Sequence, residues 1–144
     1  MLGVKPYISF QGNCQEAVDF YVEAMGAEIL YTQHFGDSPM KGKAPDDAIM
    51  HCTMKIGDAH VMACDSMSPE HQLTVGNNIS LAIGTDDSPT ADAMFAKMSD
   101  GGTVIMEMQE TFWAERFGML IDKFGINWMF NVEKPQSDHS KAIA

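Results

Sequence analysis

The sequence has few basic residues, few cysteines and no long apolar run. Nine Lys and Arg stand against 20 Asp and Glu in 144 residues, a formal net charge of −11. Because like charges repel, this balance argues against nucleic acid or an anionic membrane as a partner. No segment approaches the roughly 20 consecutive apolar residues of a membrane span. The first ten residues, MLGVKPYISF, lack the apolar run of a signal peptide, so we predict a cytoplasmic protein.

Cysteine motifs are also absent. The three cysteines form no CxxC pair, and the chain contains no HExxH motif. An odd number of cysteines in a chain of this length does not indicate a disulfide framework. Apolar residues make up 45% of the sequence, which is enough for a core, and the length fits one domain. Most of the 13 methionines are expected to fill that core.

The first half of the chain is typical of one strand, one helix and three further strands. YISF (7–10) is a short strand, and Asn13 is the predicted N-cap of the helix, with Glu16 placed for a capping box. Gly26 stands where this helix is expected to end. Helical spacing predicts its buried face as Ala17, Phe20, Tyr21, Ala24 and Met25. The strands EILYTQHF, IMHCTMKI and HVMAC follow, the last two joined by Gly57-Asp58.

The second half repeats this order. ISLAI (79–83) is an apolar strand, and Ser88 followed by Pro89 predicts an N-cap and the first helical position. Gly101-Gly102 ends the helix, and its predicted stripe is Ala91, Met94, Phe95 and Met98. The strands TVIMEM, GMLI and INWMFNV complete the half, with a turn at Asp122 to Gly125 and with Trp128 and Phe130 in the core.

Two βαβββ modules predict an α+β fold. We place them at residues 4–66 and 77–133, within a single domain of residues 1–133, and we expect a loose tail at 134–144. The helix of each module covers one face of a small curved sheet. Two modules side by side are therefore expected to form a larger mixed sheet around a cleft.

Three segments carry a resemblance to a known family. They are PYISFQGNCQEAVDFY, DDAIMHCTMKIGDAHVMACD and MQETFWAERFGMLIDKFGINWMFNV, which together with ISLAI cover most of residues 5–132. In this order they resemble the PhnB-like branch of the vicinal-oxygen-chelate superfamily, which includes glyoxalase I, extradiol dioxygenases and bleomycin- and fosfomycin-resistance proteins. The resemblance implies the glyoxalase/bleomycin-resistance/dioxygenase fold and a small homodimer. Many members of this branch carry the name of a ubiquinone-pathway methyltransferase.

The methyltransferase name and the superfamily's usual metal centre can both be compared with the residues. A common S-adenosylmethionine methyltransferase needs a glycine-rich turn after its first strand, and here that strand leads into GNCQE without a G-x-G pattern. The resemblance places the four metal ligands near Pro6, His51, Asn78 and Met129. Proline has no donor atom, and a thioether does not suit hard divalent cations. We therefore predict no methyl transfer, no metal at the usual site and no cofactor.

The strand IMHCTMKI alternates in polarity. A period of two predicts one face with Ile49, His51, Thr53 and Lys55, and the opposite, helix-facing side with Met50, Cys52 and Met54. If the Gly57-Asp58 turn has two residues, the next strand lies in a defined register. Its predicted cross-strand pairs are Cys64 with His51, Met62 with Thr53 and His60 with Lys55.

His51 is the first candidate site residue. It is either a ligand contact or general base, or a histidine hydrogen-bonded to a neighbouring strand or loop. An imidazole beside Cys64 also suggests a thiol nucleophile, although cysteines are commonly buried and inert.

The segment QETFWAERFG is the second candidate, because it ends a strand and enters a loop. The aromatic pair Phe112 and Trp113, beside Gln109 and Glu110, suits a small and partly apolar ligand. The alternative is that the two aromatic side chains cap the sheet edge or pack in a dimer interface. The neighbouring Glu115 and Arg116 are predicted to form a solvated pair.

Together these features predict a PhnB-like protein that binds an unknown small organic molecule in a cleft and lacks the usual metal ligands. The alternative is a metal-independent lyase, isomerase or transferase with His51 as general base. The predicted ligand contacts are His51, Thr53, Asn78, Gln109, Glu110, Phe112, Trp113 and Met129.

Overall fold

The computed structural model describes residues 2–135, in two compact units of which the first ends at Thr74 and the second begins at Val75. Most of the predicted tail at 134–144 lies outside the described residues. Each unit contains a strand, a helix and three strands in that order. The α+β class and the two βαβββ modules are thus confirmed.

The first unit, called unit 1, forms one mixed four-stranded sheet, called sheet 1. Its strand order is β1-β4-β3-β2, with β1 parallel to β4 and the other pairs antiparallel. The cross-strand pairs Thr53–Met62 and Lys55–His60 occur as predicted. The elements are β1 (Tyr7–Phe10), α1 (Cys14–Met25), β2 (Glu28–His34), β3 (Ile49–Ile56) and β4 (Ala59–Asp65), with a 3-10 turn at Phe35–Asp37.

Unit 2 builds sheet 2 with the equivalent order, β5-β8-β7-β6, and again only the first pair is parallel. The common strand order agrees with the internal repeat that the sequence predicts. The elements are β5 (Leu81–Thr85), α2 (Ser88–Met98), β6 (Thr103–Gln109), β7 (Ala114–Ile121) and β8 (Asn127–Glu133).

In unit 1 the core lies between α1 and one face of sheet 1. The helix buries most of the predicted stripe, but Phe20 is only half-buried and Val18 is fully buried. The alternate residues of β3 that face the helix, Cys52 and Met54, are also fully buried. This face therefore consists of apolar side chains from both layers, which is what stabilises the pairing of helix and sheet.

In unit 2 the core lies between α2 and sheet 2. Trp128 and Phe130 are buried as predicted, and the Phe95 ring of α2 meets the Phe130 ring edge-on at 5.7 Å between centroids. Met94, predicted to be in the buried stripe, is only half-buried. Gly118 lets the layers approach, since a Cβ there would lie 2.6 Å from Met108 Sδ and 2.9 Å from Phe95.

Asn13 occupies the N-cap position of α1 and Gly26 ends this helix in the left-handed conformation, both as predicted, whereas the predicted N-cap of α2 at Ser88 is wrong. The Asn13 side chain makes no capping hydrogen bond. Instead Asp65 of β4 accepts hydrogen bonds from the backbone N–H groups of Gly12 (2.8 Å) and Cys14 (3.0 Å). Its second carboxylate oxygen accepts from the N–H of Ile49 (2.8 Å), which ties the start of α1 to β3.

At α2 the N-cap is Asp87, which accepts a hydrogen bond from the Thr90 N–H at 3.0 Å. Ser88 is already helical and donates its hydroxyl proton to Glu115 (2.6 Å). The predicted pair of Glu115 and Arg116 is also wrong. Arg116 instead donates two hydrogen bonds to Asp92 of α2, because both side chains lie on the helix-facing side of sheet 2.

Two strands begin more than one residue away from their predicted start. The fifth strand begins at Leu81, and Ile79 before it is largely exposed. The seventh begins at Ala114, four residues before the predicted GMLI, because the long strand β8 pairs with it as far as Glu133. Within residues 2–135, neither helix has the length and apolar character needed to cross a membrane.

Candidate functional site

Sheet 1 carries a cluster of polar side chains on the face opposite α1, which we call the His51 cluster (Tyr7, His51 and Thr53). The Tyr7 hydroxyl and His51 Nδ1 are 3.0 Å apart, and His51 Nε2 is 3.0 Å from the Thr53 hydroxyl. Both ring nitrogens are therefore hydrogen-bonded. Two such bonds fix the rotation of the imidazole and hold it half-buried at the middle of the sheet.

Two half-exposed tyrosine rings flank this histidine. Tyr7 is 51% exposed and Tyr31 is 52% exposed. Their ring centroids lie 5.6 Å and 6.2 Å from that of His51. They come from β1 and β2, the two edge strands of sheet 1, so the histidine lies between aromatic rings that solvent reaches.

The electrostatics of the cluster keep the tyrosine neutral. Burial, and then the neighbouring Cys64, raise the pKa of Tyr7, so its hydroxyl stays protonated at neutral pH and can donate a hydrogen bond. Cys64 Sγ lies 3.8 Å from the Ser9 hydroxyl. Continuing the β3–β4 register one residue beyond Cys52–Ala63 sets Cys64 opposite His51.

The other two cysteines belong to the core. Burial raises the pKa of Cys14, and the Asp65 carboxylate raises it further. Burial also raises the pKa of Cys52, although a hydrogen bond from the Thr32 hydroxyl acts in the opposite direction. Both thiols are fully buried, whereas Cys64 is half-exposed.

Sheet 2 presents a row of side chains on the face opposite α2. The strand registers align Gly84 of β5, Asn131 of β8, Phe117 of β7 and Gln109 of β6 across the sheet. Met129 lies two residues before Asn131 and therefore on the same face. The predicted contacts Gln109 and Met129 thus share one face of sheet 2.

The connection between β6 and β7 carries the predicted aromatic pair. Phe112 is 88% exposed, and its ring lies 4.8 Å from that of Trp113. The Trp113 ring in turn lies 5.4 Å from that of Phe117. Glu110 forms an exposed ion pair with Lys134 at 3.5 Å.

The predicted contacts therefore fall into separate groups. His51 and Thr53 are hydrogen-bonded to each other in unit 1. Gln109, Phe112, Trp113 and Met129 belong to unit 2, and Asn78 is exposed in the segment before β5. Tyr7, Tyr31 and Asn131 on these faces are not among the predicted contacts, although period-two alternation within β1, β2 and β8 is a signal that could have placed them there.

The resemblance assigns the superfamily's four metal-ligand positions to Pro6, His51, Asn78 and Met129. Pro6 offers no donor, Met129 offers a thioether, and Asn78 lies outside a strand. Both ring nitrogens of His51 already bind hydroxyl groups. Throughout residues 2–135, no group of three or more His, Cys, Asp and Glu side chains is arranged to hold a metal.

A cavity of about 240 Å³ in unit 1 lies apart from the His51 cluster and is lined in part by His34, Asp47 and Asp65. The Asp65 carboxylate already accepts three backbone hydrogen bonds. Asp65 is therefore already engaged by the backbone at the start of α1 and of β3.

Comparison with known proteins gives a consistent family. Residues 3–130 match the family model described as 3-demethylubiquinone-9 3-methyltransferase. Protein YjdN of Escherichia coli K12 is 34% identical over 92% of this chain and 97% of its own length. The crystal structure of PA1353 from Pseudomonas aeruginosa is 36% identical, with a TM-score of 0.83, over 92% of this chain and 98% of that one.

More distant structures share the fold. A PhnB protein from Bacillus cereus is 23% identical, with a TM-score of 0.78, over 91% of this chain and 99% of that one. Structures described as a glyoxalase/bleomycin-resistance/dioxygenase domain and a fosfomycin-resistance protein are 9% identical, each with a TM-score of 0.65. The chain belongs to the 3-demethylubiquinone-9 3-methyltransferase family and shares the fold of PhnB and glyoxalase/bleomycin-resistance/dioxygenase proteins.

Proposed function

We propose that the protein binds a small organic molecule on sheet 1, at the His51 cluster. The observation that carries this proposal is the imidazole of His51, held by two hydroxyl groups at 3.0 Å each between two half-exposed tyrosine rings. A few fixed polar groups beside apolar rings are typical of small-molecule sites. Such groups bind without first losing side-chain entropy, because the protein already orients them.

The chemistry of the cluster favours a ligand with an oxygen acceptor next to a flat or apolar group. Tyr7 is an O–H donor at neutral pH, as an ordinary tyrosine is, and its raised pKa extends that range upward. When His51 donates from Nδ1 to the Tyr7 oxygen, the tyrosine proton is free to point at the ligand. The rings of Tyr7 and Tyr31 offer the apolar contact.

The alternative function is a metal-independent enzyme with His51 as general base. A base needs a nitrogen lone pair that faces the proton it removes. Since both ring nitrogens of His51 bind hydroxyl groups, one of these bonds must break before a substrate proton reaches the imidazole. Binding therefore requires less rearrangement than catalysis, and we propose binding as the function.

The predicted contacts in unit 2 stay part of the proposal. The exposure of Phe112 and its contact with Trp113 support a role in contacting a ligand or a second chain. Gln109 and Met129 lie on the sheet face that these rings border. For Asn78 and Glu110 the supporting observations are exposure and proximity in sequence alone.

We propose neither methyl transfer nor a metal at the usual position. The turn between β1 and α1, Gln11-Gly12-Asn13, lacks the G-x-G pattern of a cofactor-binding turn. The four ligand positions lack suitable donors, as described above. Metal analysis of protein purified without chelators tests the second statement, because stoichiometric Zn, Ni, Fe or Mn would contradict it.

The binding function is tested with a chemically diverse library of small organic compounds. Thermal-shift screening of the wild type identifies binders, and their affinities are then measured for Tyr7→Phe and His51→Ala. We expect about tenfold weaker binding for each variant, the usual effect of losing one well-placed hydrogen bond. His60→Ala is the matched control, since this half-buried histidine lies on the same sheet face but pairs with Lys55.

Equal binding by wild type, Tyr7→Phe and His51→Ala would contradict the proposed site. Turnover of a bound compound by the wild type that His51→Ala abolishes without loss of affinity would favour the enzyme. The two functions are therefore distinguished by the same pair of measurements.

We further propose a homodimer in the cytoplasm, as the resemblance and the cysteine content suggest. Ile29, Leu30 and Tyr31 are exposed on the edge strand β2, and an exposed apolar edge favours association. The three cysteines are free thiols, which suits a reducing compartment. Light scattering of the wild type and Leu30→Glu tests the dimer, and cell fractionation tests the location.

A further inference from the structure

Asn131 of β8 contains a buried acceptor without a partner. Its Oδ1 atom is the single buried side-chain nitrogen or oxygen in residues 2–135 that makes no hydrogen bond. Leaving a buried acceptor unpaired destabilises a fold, so such an atom needs an explanation. The surroundings of Asn131 support one explanation, namely that a ligand supplies the missing hydrogen-bond donor.

Open space lies next to this asparagine on the side of β5. Gly84 is its register partner there, and a Cβ added to Gly84 would meet no atom within 4 Å. Gly84 and Ala82 are both exposed, so the edge strand presents only small residues on this face. On its other side Asn131 is paired with Phe117 of β7, whose ring contacts the Trp113 ring. We call the strip of this face formed by Gly84, Asn131 and Phe117 the trough, since Gly84 carries no side chain and Phe117 carries a ring.

The charges around the trough favour a cation. Glu133 is exposed and lies two residues after Asn131, so it projects from the same face of β8. The whole chain carries a formal charge of −11, which attracts cations and repels anions. Aromatic rings such as Phe117 and Trp113 also attract cations at their faces.

We propose that this trough (Gly84, Asn131 and Phe117) binds a flat aromatic cation that carries N–H donors, the chemistry of an aryl amidinium. One N–H group of the ligand donates to Asn131 Oδ1, and the ligand ring lies over Gly84 and against Phe117. Because Oδ1 is buried, this binding requires the Asn131 side chain to turn toward the open space at Gly84. The proposal uses no residue of the His51 cluster, and it names a ligand class for the face of sheet 2 that also carries Gln109 and Met129.

Four related probes test the ligand class: benzamidine, benzamide, benzoate and acetamidine. Titration of 15N-labelled protein follows the Gly84 backbone amide and the Asn131 side-chain amide by NMR. We expect benzamidine to shift both resonances with a dissociation constant of about 1 mM, the range for a ligand of this size. Benzamide lacks the charge, acetamidine lacks the ring and benzoate has the wrong charge, so each should bind about tenfold more weakly or not at all.

Two variants test the site by different changes. Asn131→Leu removes the unpaired acceptor, and Gly84→Val fills the trough with a side chain that suits a strand. Each should weaken benzamidine binding at least about fivefold. Asn131→Leu should also raise the urea midpoint of unfolding, since it removes a buried unpaired group. Glu107→Gln on the opposite edge strand is the control for Glu133→Gln, and only Glu133→Gln should weaken binding.

Several results would overturn the proposal. They are benzoate binding as tightly as benzamidine, shifts that leave Gly84 and Asn131 unmoved, and benzamidine affinity unchanged in both Asn131→Leu and Gly84→Val. Failure here is distinguishable from failure of the proposed function, because His51→Ala should bind benzamidine as the wild type does. Loss of benzamidine binding in His51→Ala would show that unit 2 does not bind the probe by itself.

Discussion

Replacing Asp65 tests how unit 1 is held together. This carboxylate is 4% exposed and accepts backbone hydrogen bonds from Gly12, Cys14 and Ile49 at 2.8 to 3.0 Å. It satisfies the first N–H groups of α1 from a strand 51 residues away in the sequence. Asp65→Ala removes both acceptor oxygens, and with them all three hydrogen bonds, and leaves the N–H groups of Cys14 and Ile49 buried.

The magnitude follows from those two donors. A buried donor left without an acceptor costs about 1–3 kcal/mol, so Asp65→Ala should lower the free energy of unfolding by about 2–6 kcal/mol. A folded domain of this size is stable by only about 5–15 kcal/mol. Asp65→Asn keeps one acceptor oxygen and should lower the free energy of unfolding by about 1–3 kcal/mol. Urea unfolding followed by circular dichroism measures both changes.

Asn13→Ala and Glu16→Ala are the matched controls, since the sequence alone assigns them the cap. The Asn13 side chain makes no capping hydrogen bond, so each should change the free energy of unfolding by less than about 0.5 kcal/mol. A loss of less than about 1 kcal/mol in Asp65→Ala would refute the reasoning. So would a larger loss in Asn13→Ala than in Asp65→Ala.

Two further predictions concern thiol reactivity and packing. At pH 8 a disulfide reagent should label Cys64 rapidly and the other two thiols slowly, because burial raises the pKa of Cys14 and of Cys52 and lowers their thiolate fractions. In denatured protein the reagent should label all three thiols. Rapid labelling of two thiols in the native protein would contradict the prediction. Gly118→Ala should lower the free energy of unfolding by about 1–3 kcal/mol, since its Cβ meets Met108 and Phe95. Gly84→Ala should change the free energy of unfolding by less than about 0.5 kcal/mol, because a Cβ at Gly84 meets open space. Equal effects of the two alanines in urea unfolding would show that Gly118 is not at a close contact.

The raised pKa of Tyr7 predicts no pH-dependent change in its protonation near neutrality. A group with a raised pKa stays protonated through the physiological range, so the donor at the His51 cluster is present from acid to neutral pH. It is lost only when the pH rises above the ordinary pKa of a tyrosine, about 10. Ligand affinity at this cluster is therefore expected to be flat with pH as far as Tyr7 is concerned.

The sequence by itself determined the order of elements and most of the buried faces, although Ile49, predicted on the side with His51, is fully buried. Period-two alternation in β3 assigned Cys52 and Met54 to the helix side and His51 and Thr53 to the other, and the Gly57-Asp58 turn set the β3–β4 register. These features depend on neighbours within a few residues, which periodicity and turn chemistry report directly. The repeat of the module and the family membership follow from the same local patterns taken in order.

Tertiary structure decided the contacts between distant segments. Asp65 caps a helix that begins 51 residues earlier, and Arg116 pairs with Asp92, 24 residues away, and not with its neighbour Glu115. The Tyr7–His51 bond spans 44 residues. Such contacts depend on which strands become neighbours in a sheet, and local sequence does not encode that order. For the same reason only the folded chain reveals that Asn131 lies between Gly84 and Phe117 with its acceptor unpaired.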